Sequence, residues 1–303
     1  MFDVQQSGFG TAIHNLDLAQ LADEKIAQEL KDLVYTNKLV VLKDISPSPQ
    51  EFLRMGEALG TVHPYYEPIY HHPEFPEIFV SSNDHSGGTN GVPKTGAFWH
   101  IDYQFMPEPF SLTMTLPLAV PGNDRGTYFI DLAEAWKRVP RDLQEKLIGT
   151  TTINSPRRYV KIRPSDVYRP IGELIQEIEE QTPPQQWPTV VRHPITGENF
   201  LYICEAFTET ILDADGTPLD DSILQELLRI SGQLDDTFSN DIIQTQHFGV
   251  GDALLWDNRV LAHRAKHGST QGLVTTHRVT MTDGYPNPGT AAHALSSDEP
   301  DRQ

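Results

Sequence analysis

Two side chains that can bind a metal ion stand two residues apart in the segment 98–102, which reads FWHID. We predict an extended strand here, on which His100 and Asp102 point to the same face. An imidazole nitrogen and a carboxylate oxygen would then reach one ion, and both ligands suit Fe(II) or Zn(II). The pair alone is weak evidence, because the chain holds 12 histidines and 42 acidic residues. The prediction therefore depends on residues further along the chain.

Later residues complete a possible ligand set. With His263, the chain offers two histidines and one carboxylate, which leave adjacent positions open on Fe(II) for a chelating co-substrate and O2. If that co-substrate is a 2-oxo dicarboxylate, its far carboxylate needs a cation, and Arg278 could form a bidentate pair with it. The hydroxyl of Thr127 could share this carboxylate, and the strand of Arg278 could run beside the strand that ends at the histidine. Each of these residues alone would more often have a structural role, such as a salt bridge. The hypothesis therefore depends on their occurring together in this order.

Four motifs follow one another along the chain: WHxD at 99–102, GT at 126–127, GDxLxWDNRxxxHRA at 251–265 and HRxT at 277–280. In this order they resemble the taurine dioxygenase and clavaminate synthase superfamily of Fe(II)/2-oxoglutarate dioxygenases, over nearly the whole chain. The resemblance implies iron on His100, Asp102 and His263, 2-oxoglutarate held by Thr127 and Arg278, and O2 as the second co-substrate. It also implies a mixed α/β, mainly β fold with a double-stranded β-helix (jelly-roll) core, flanking helices and a lid-like insertion.

Four longer blocks suggest a narrower group: YTNKLVVLKD at 35–44, PKTGAFWHIDY at 93–103, KIRPSDVYRP at 161–170 and DNRVL at 257–261. They resemble the isonitrile-forming (3R)-3-[(carboxymethyl)amino]fatty acid dioxygenase/decarboxylases of actinobacterial isonitrile lipopeptide pathways. Members of that group act on a 3-amino fatty acid whose nitrogen carries a carboxymethyl arm. Successive oxidations, each consuming 2-oxoglutarate and O2, remove the carboxylate of this arm as CO2 and leave an isonitrile. The resemblance therefore implies a substrate with two carboxylates.

A basic cluster stands out in this acidic chain, consisting of Arg157, Arg158, Lys161, Arg163 and Arg169. It is either a solvated face or a local attractive field for a small carboxylate. A substrate with two carboxylates needs cations and hydroxyl donors at fixed points beside the iron. We therefore predict the following substrate-binding residues: Lys161 and His267 for the carboxymethyl carboxylate, Tyr65 and Tyr66 as hydroxyl donors, and Arg157 or Arg163 for the fatty-acid carboxylate.

Two alternatives remain open from the sequence. In the first, the same iron and 2-oxoglutarate site hydroxylates or desaturates another small amino acid or sulfonate, and only the substrate pocket differs. In the second, the two histidines and the aspartate hold zinc in a hydrolytic or structural site. A requirement for Arg278 separates the second alternative from the oxygenases, because zinc chemistry needs no 2-oxoglutarate.

The composition limits the class of protein. At 303 residues, with no low-complexity linker, the chain fits one catalytic domain, 1–303. The formal net charge of −19 argues against nucleic acid and membrane surfaces as partners. A single cysteine, Cys204, and the lack of a signal-peptide pattern or an apolar run of ~20 residues predict a cytoplasmic protein. We expect a small-molecule amino or fatty acid substrate. It could be tethered to a carrier protein, but such carriers are typically acidic, so the charge favours a free acid.

Many short apolar and aromatic runs, with 23 prolines and 21 glycines, predict many strands and few helices around these motifs. We expect helices at 23–35, 48–60 and 220–230, the second with a Ser48 capping box. Strands are expected at 39–42, 78–80, 110–120, 126–130, 244–250, 253–256 and 273–282, with a hairpin turn at Gly251-Asp252. Residues 83–94 form a candidate lid loop, 154–188 an insertion and 296–303 a disordered acidic tail.

Overall fold

The architecture is mixed α/β and consists mostly of strands. A computed structural model describes residues 2–84, 91–157, 164–269 and 271–286. The predicted tail and the middle of the candidate lid loop lie outside the described residues. No helix in the described part of the chain is long and apolar enough to cross a lipid bilayer.

The three predicted helices and seven predicted strands are present, and the described residues contain three further helices and nine further strands. The α-helices among the described residues are α1 (Glu24–Asn37), α2 (Pro49–Leu59), α3 (Leu132–Arg138), α4 (Arg141–Leu147), α5 (Ile171–Gln181) and α6 (Asp221–Ile230). The strands are β1 (Asp3–Gln6), β2 (Thr11–His14), β3 (Leu39–Leu42), β4 (Thr61–Val62), β5 (Phe79–Ser82), β6 (Leu112–Ala119), β7 (Gly126–Asp131), β8 (Thr151–Asn154), β9 (Gln185–Pro188), β10 (Val190–Arg192), β11 (Asn199–Leu201), β12 (Thr208–Leu212), β13 (Ile243–His247), β14 (Ala253–Asp257), β15 (Leu261–Lys266) and β16 (Thr275–Thr282). Short 3-10 turns lie at Leu18–Ala22, Pro68–Tyr70 and Pro164–Asp166.

The largest sheet has eight strands in the order β1-β2-β3-β14-β6-β16-β4, and β5 also pairs with β16. Strands β3 and β14 form its centre and pair antiparallel, with Leu42 opposite Ala253. Every residue of both strands is buried. An uninterrupted apolar run is typical of a strand that is covered on both faces, so the LVVL and ALLW runs place these strands at the centre of the core.

A second sheet has three strands in the order β13-β7-β15. Aromatic side chains from the two sheets pack together: the ring of Trp256 on β14 lies 5.4 Å from Phe129 on β7 and 4.9 Å from His263 on β15. The predicted hairpin at Gly251-Asp252 is wrong, because β13 pairs with β7 whereas β14 belongs to the larger sheet. The glycine still turns the chain, with φ at 89°, a left-handed value that glycine adopts without steric cost.

Helix α2 begins with the predicted capping box. The Ser48 hydroxyl accepts a hydrogen bond from the Glu51 amide, and the Glu51 carboxylate accepts one from the Ser48 amide. Such reciprocal bonds satisfy two amides that a helix start leaves open. The helix buries Phe52, Met55 and Leu59 and contacts β16.

The described residues divide into two compact units. The first comprises residues from 1–97, 110–129 and 244–285, and it contains both sheets described above. The second comprises residues from 98–109 and 130–243, with the sheet β12-β8-β9, the β10-β11 pair and helices α3 to α6. The single catalytic domain therefore stays a prediction.

The two ends of the predicted insertion at 154–188 lie on paired strands. Strands β8 and β9 pair antiparallel, with Asn154 opposite Gln185, and the chain between them includes α5. None of the residues of α5 is buried. A role of this segment as a lid stays a prediction.

Candidate active site

The His100 and Asp102 side chains are both buried, with 6% and 3% of their surface exposed. The predicted continuous strand is wrong, because His100 makes an isolated β-bridge and a turn begins at Asp102. The two side chains still approach each other, with Nε2 of His100 3.7 Å from Oδ1 of Asp102. Nδ1 of His100 lies 2.9 Å from the carbonyl oxygen of Phe98. A carbonyl only accepts, so Nδ1 carries the proton and the lone pair of Nε2 is available for a metal ion.

A buried segment at 202–207 holds this part of the chain in place. The Trp99 amide donates to Oε2 of Glu205 over 3.1 Å, and the Ala206 amide donates to the Trp99 carbonyl over 3.0 Å. The edge of Phe207 packs on the ring of His100 at 6.3 Å. Sequence reasoning missed Glu205, and no signal in a single sequence connects a carboxylate to an amide so far along the chain.

His263 lies on β15 and is 5% exposed. Its ring packs against Trp256 at 4.9 Å and Phe129 at 6.3 Å. The expectation that its strand runs beside that of Arg278 is wrong, because β15 pairs with β7 and β16 pairs with β6, β5 and β4. The aromatic neighbours limit the positions open to the ring, which suits a ligand that must be held in one orientation.

One donor atom from each of His100, Asp102 and His263 lies within 4.8 Å of the other two. Burying an ionised carboxylate costs several kcal/mol unless a cation compensates it. A divalent cation bound by all three donors would supply that compensation. Two imidazole nitrogens and one carboxylate oxygen fit Fe(II) with positions left open for other ligands. The residues therefore fit the metal that the sequence predicts.

Arg278 and Thr127, the residues predicted to bind 2-oxoglutarate, both lie on strands of the first unit. Thr127 is on β7 and is 7% exposed. Arg278 is on β16, opposite Phe79 of β5, and its Cζ lies 4.2 Å from the centre of the Phe79 ring. The aromatic ring attracts the guanidinium and orients its plane. Sequence reasoning missed Phe79, since only the strand register reveals this contact.

Tyr65 and Tyr66 belong to an aromatic cluster around Phe79. The ring of Tyr65 lies 4.7 Å from Tyr66, 4.9 Å from Tyr70 and 5.2 Å from Phe79, and Tyr70 stacks on Phe79 at 4.6 Å. The cluster therefore lies against the same phenylalanine that contacts Arg278. Phe79 thus contacts both Arg278 and Tyr65, one of the predicted hydroxyl donors.

The structure describes only part of the predicted basic cluster. Arg158, Lys161 and Arg163 lie outside the described residues. Arg157 forms an ion pair with Glu179 of α5, and Arg169 pairs with Glu177 at 2.7 Å. These contacts offset part of the positive charge of the cluster. His267 is exposed just after β15, and its role, like that of Arg157, stays a prediction.

Burial changes the protonation of two other groups. Burial, with a smaller effect from His72, lowers the pKa of His277 to about 4, so this ring is neutral at neutral pH. Burial raises the pKa of the Cys204 thiol to about 11. A thiol with this pKa stays protonated and is a poor nucleophile.

Comparison with known proteins places this geometry in context. The family model described as "Taurine catabolism dioxygenase TauD, TfdA family" matches residues 3–281. An alpha-ketoglutarate-dependent 2,4-dichlorophenoxyacetate dioxygenase of Cupriavidus pinatubonensis is 23% identical, over 91% of this chain and 95% of the relative. An alpha-ketoglutarate-dependent sulfonate dioxygenase of Saccharomyces cerevisiae is 25% identical over 84% of this chain, and the match spans 60% of the yeast protein.

Solved structures show the same fold. A taurine dioxygenase from Burkholderia xenovorans superposes with a TM-score of 0.72 at 17% identity, covering 99% of this chain and 96% of that chain. At this identity the likeness shows the fold alone, which is the jelly roll of these dioxygenases. The predicted jelly-roll core is thereby confirmed.

Proposed function

We propose that this chain, which belongs to the taurine catabolism dioxygenase TauD, TfdA family, is an isonitrile-forming oxidative decarboxylase within that family. Dioxygenases of this family use Fe(II), 2-oxoglutarate and O2. The general activity of the chain is therefore that of an oxidoreductase, an alpha-ketoglutarate-dependent dioxygenase. The specific substrate that we propose is a (3R)-3-[(carboxymethyl)amino] fatty acid, and the product is the (3R)-3-isocyano fatty acid.

The proposed metal ligands are His100, Asp102 and His263. Bound Fe(II) supplies the redox chemistry that couples O2 to the decarboxylation of 2-oxoglutarate to succinate. The protein holds the ligands in their protonation states and orientations: the Phe98 carbonyl fixes the His100 tautomer, and Trp256 restricts the ring of His263. Membership of this family favours iron chemistry over the zinc alternative.

Arg278 and Thr127 are the proposed 2-oxoglutarate residues. The guanidinium can hold the far carboxylate through two parallel hydrogen bonds, and the hydroxyl can donate a third. The ring of Phe79 packs against the guanidinium of Arg278 and limits its orientation. Preorganised donors of this kind position the co-substrate without paying for reorganisation during each cycle.

The observation that carries the specific proposal is the aromatic cluster of Tyr65, Tyr66 and Tyr70 on Phe79. Aryl hydroxyls in a cluster on the phenylalanine that contacts Arg278 suit a substrate that carries carboxylates close to the oxidised carbon. They can donate hydrogen bonds to a carboxylate while their rings exclude water. We propose a free acid as substrate, because acidic carrier proteins would be repelled by a chain of net charge −19.

The proposed reaction balances with two oxidations. Converting the CH2–NH unit of the carboxymethyl arm to N≡C, with loss of the carboxylate as CO2, removes four electrons and four protons from the substrate. Each molecule of 2-oxoglutarate with O2 accepts two of each and yields succinate, CO2 and water. One isonitrile therefore requires two 2-oxoglutarate and two O2, and it releases two succinate, three CO2 and two water.

The test is anaerobic loading with Fe(II) and 2-oxoglutarate, followed by O2, with (R)-3-[(carboxymethyl)amino]butanoic acid as substrate. We expect an infrared isonitrile stretch, a product with the mass of the 3-isocyano acid, and two molecules of succinate for each isonitrile formed. Tyr66→Phe should raise KM for the substrate about tenfold, the effect of one charge-assisted hydrogen bond. Tyr168→Phe is the matched control, because the Tyr168 side chain is 98% exposed.

A second candidate is oxidation of another small anion, and the names of the relatives favour it. The Cupriavidus and yeast proteins are named for 2,4-dichlorophenoxyacetate and sulfonates. Succinate formation with such an anion, and none with the carboxymethylamino acid, would replace the isonitrile proposal. If no substrate consumes 2-oxoglutarate and the purified protein holds zinc, the zinc alternative becomes the better account.

A further inference from the structure

Helix α5 in the second unit carries an apolar stripe that is open to solvent. Its members, at spacings of three, four and seven residues from the first, are Ile171, Leu174, Ile175 and Ile178. Residues at these spacings share one face of a helix. None of the four is buried, and Ile171 and Ile175 are 69% and 44% exposed. Each of the other five α-helices among the described residues buries at least one apolar side chain.

The size of the stripe indicates an interaction surface. Val167, just before the helix, is exposed as well. Together these five side chains leave on the order of 300 Å² of apolar surface open to water, the range in which a patch on a monomer often has a function. A scattered exposed leucine or valine needs no such explanation. An amphipathic helix with an open apolar face is suited to packing against another helix.

The charges of α5 are arranged unevenly along its axis. The helix contains four glutamates and no basic residue, whereas Arg169 lies two residues before it. Arg169 pairs with Glu177 over 2.7 Å and with Asp166 over 3.3 Å, and 36% of its side chain stays exposed. Glu180, in the last turn, is exposed. The helix macrodipole has the same sense, with its positive end at the N-terminus. This face is therefore positive at one end and negative at the other.

We propose that α5 is the contact surface of a symmetric homodimer, in which the α5 helices of two copies pack antiparallel through the stripe. A two-fold axis between Leu174 and Ile175 places Ile171 against the partner's Ile178. The same axis places Arg169 opposite the partner's Glu180. Apolar side chains then meet apolar side chains, and opposite charges meet at both ends. A parallel pairing would bring like charges together. An isologous contact of this kind closes after two copies, so it produces a dimer.

A second copy matches both the stripe and its charges. Phosphate-bearing surfaces, such as nucleic acid or an anionic membrane, would be repelled by the four glutamates of the helix. The net charge of −19 opposes association of two copies, but salt at physiological ionic strength screens charges beyond about 8 Å, so the charges at the contact decide. The stripe is smaller than the roughly 800 Å² that each partner contributes to a standard interface, so we expect reversible association with Kd on the order of 10 μM.

Sedimentation velocity of the full-length protein tests the proposal at concentrations from about tenfold below to tenfold above this Kd. The average mass of the wild type should rise from that of one chain towards that of two. Ile171→Asp/Ile175→Asp places two carboxylates on the stripe and should weaken association at least tenfold. Val4→Asp/Val250→Asp is the matched control, because it adds the same charge at two apolar residues exposed elsewhere. It should associate as the wild type does.

Engineered cysteines test the antiparallel arrangement. The native Cys204 is buried and burial raises the pKa of its thiol to about 11, so it does not compete for oxidation. Ile175→Cys lies beside the two-fold axis, and mild oxidation should join two copies by a disulfide. In Ile171→Cys, seven residues of helical rise, about 10 Å, separate the two thiol positions along the axis. A disulfide cannot span that distance, so this variant should stay unlinked.

The proposal is overturned if the wild type stays monomeric at the highest concentration, or if Ile171→Asp/Ile175→Asp associates as its control does. Equal cross-linking of Ile171→Cys and Ile175→Cys would also contradict it, since a parallel pair brings every residue to its own equivalent. A monomer in which the thiol of Ile175→Cys resists alkylation would show that the chain itself covers the stripe. None of these measurements depends on turnover, so they leave the proposed function untouched.

Discussion

Arg278 and Phe79 face each other across β16 and β5, and the guanidinium carbon lies 4.2 Å from the centre of the ring. A cation above an aromatic face is attracted by the ring quadrupole, whose face is negative. The contact also restricts the plane in which the guanidinium can offer two parallel hydrogen bonds. Phe79 is therefore a positioning residue for the proposed 2-oxoglutarate site, although no ligand motif contains it.

Phe79→Leu should raise KM for 2-oxoglutarate, because the leucine keeps the apolar volume but loses the attraction for the guanidinium. A cation–π contact contributes about 0.5–2 kcal/mol, which corresponds to about a 2- to 30-fold change. Phe79→Tyr retains the ring and should resemble wild type. Steady-state kinetics in 2-oxoglutarate at saturating substrate measure both variants, and an unchanged KM in Phe79→Leu would show that the ring does not position Arg278.

Asp102→Asn should abolish Fe(II) binding while leaving the free energy of unfolding within about 1 kcal/mol of wild type. The amide keeps the size of the side chain but lacks the negative charge that attracts a divalent cation and offsets its charge in a buried site. Metal content after anaerobic reconstitution and urea unfolding of the metal-free protein measure the two effects. If Asp102→Asn fails to fold, the metal has a structural role and the oxygenase assignment of this site is wrong.

Gln104→Leu is the contrasting variant on the same segment, and it should lower stability while leaving the ligand set intact. The Gln104 side chain is fully buried, donates to the Tyr202 carbonyl over 2.8 Å and accepts from the Cys204 thiol over 2.9 Å. Leaving such partners unsatisfied costs about 1–3 kcal/mol each. Urea unfolding checks the loss, and Fe(II) stoichiometry should stay near wild type; a variant as stable as wild type would contradict this account.

Local signals in the sequence predicted the elements that need no distant partner. The Ser48 capping box and the buried LVVL run of β3 both depend on residues within one turn or one strand. The metal-binding motifs are equally local, which is why the His-x-Asp pair could be found from the sequence.

Strand pairing could not be predicted in the same way. The glycine and aspartate at 251–252 read as a hairpin turn, but β13 gains its hydrogen bonds from β7, far earlier in the chain. The contact of Phe79 with Arg278 and the bond of Glu205 to the Trp99 amide depend on such pairings between distant segments. Helix α5 was missed because proline flanks it and no buried face marks it.

Asp283→Ala should destabilise the fold by about 3–5 kcal/mol, because the buried guanidinium of Arg259 loses its hydrogen-bonded counter-ion and keeps only Asp257, whose Oδ1 lies 3.6 Å from Nη1. Arg259 is 1% exposed and donates from Nη2 to Asp283 over 2.5 Å, and Tyr35 donates to the other carboxylate oxygen over 2.7 Å. Urea unfolding at pH 7 measures the loss. Asp283→Asn keeps a side-chain oxygen that can accept from Arg259 but removes the charge, and it should be less destabilised than Asp283→Ala; the opposite order would contradict the role of these hydrogen bonds.

The same carboxylate predicts a pH dependence. Burial acts to raise the pKa of Asp283, but Arg259 and the hydrogen bonds outweigh burial and hold it below its ordinary value. A group with a lowered folded-state pKa stabilises the fold above its unfolded pKa, about 4 for a carboxylate, and loses that contribution as pH falls further. The free energy of unfolding should therefore decline less steeply below pH 4 in Asp283→Asn than in wild type.

His277 should make the protein lose stability between pH 6.5 and 4. Burial, and secondarily His72, lowers the pKa of His277 to about 4 in the folded state, whereas a histidine in the unfolded chain titrates near 6.5. In that window the unfolded chain binds a proton that the folded chain does not bind, so the free energy of unfolding falls by about 1.4 kcal/mol for each unit by which pH falls.

His277→Phe keeps a ring against His72, which lies 5.3 Å away, and should flatten this slope. Urea unfolding at pH 7, 5.5 and 4.5 measures it, with the exposed His247→Phe as control. Equal slopes in wild type and His277→Phe would mean that His277 is protonated in the folded protein.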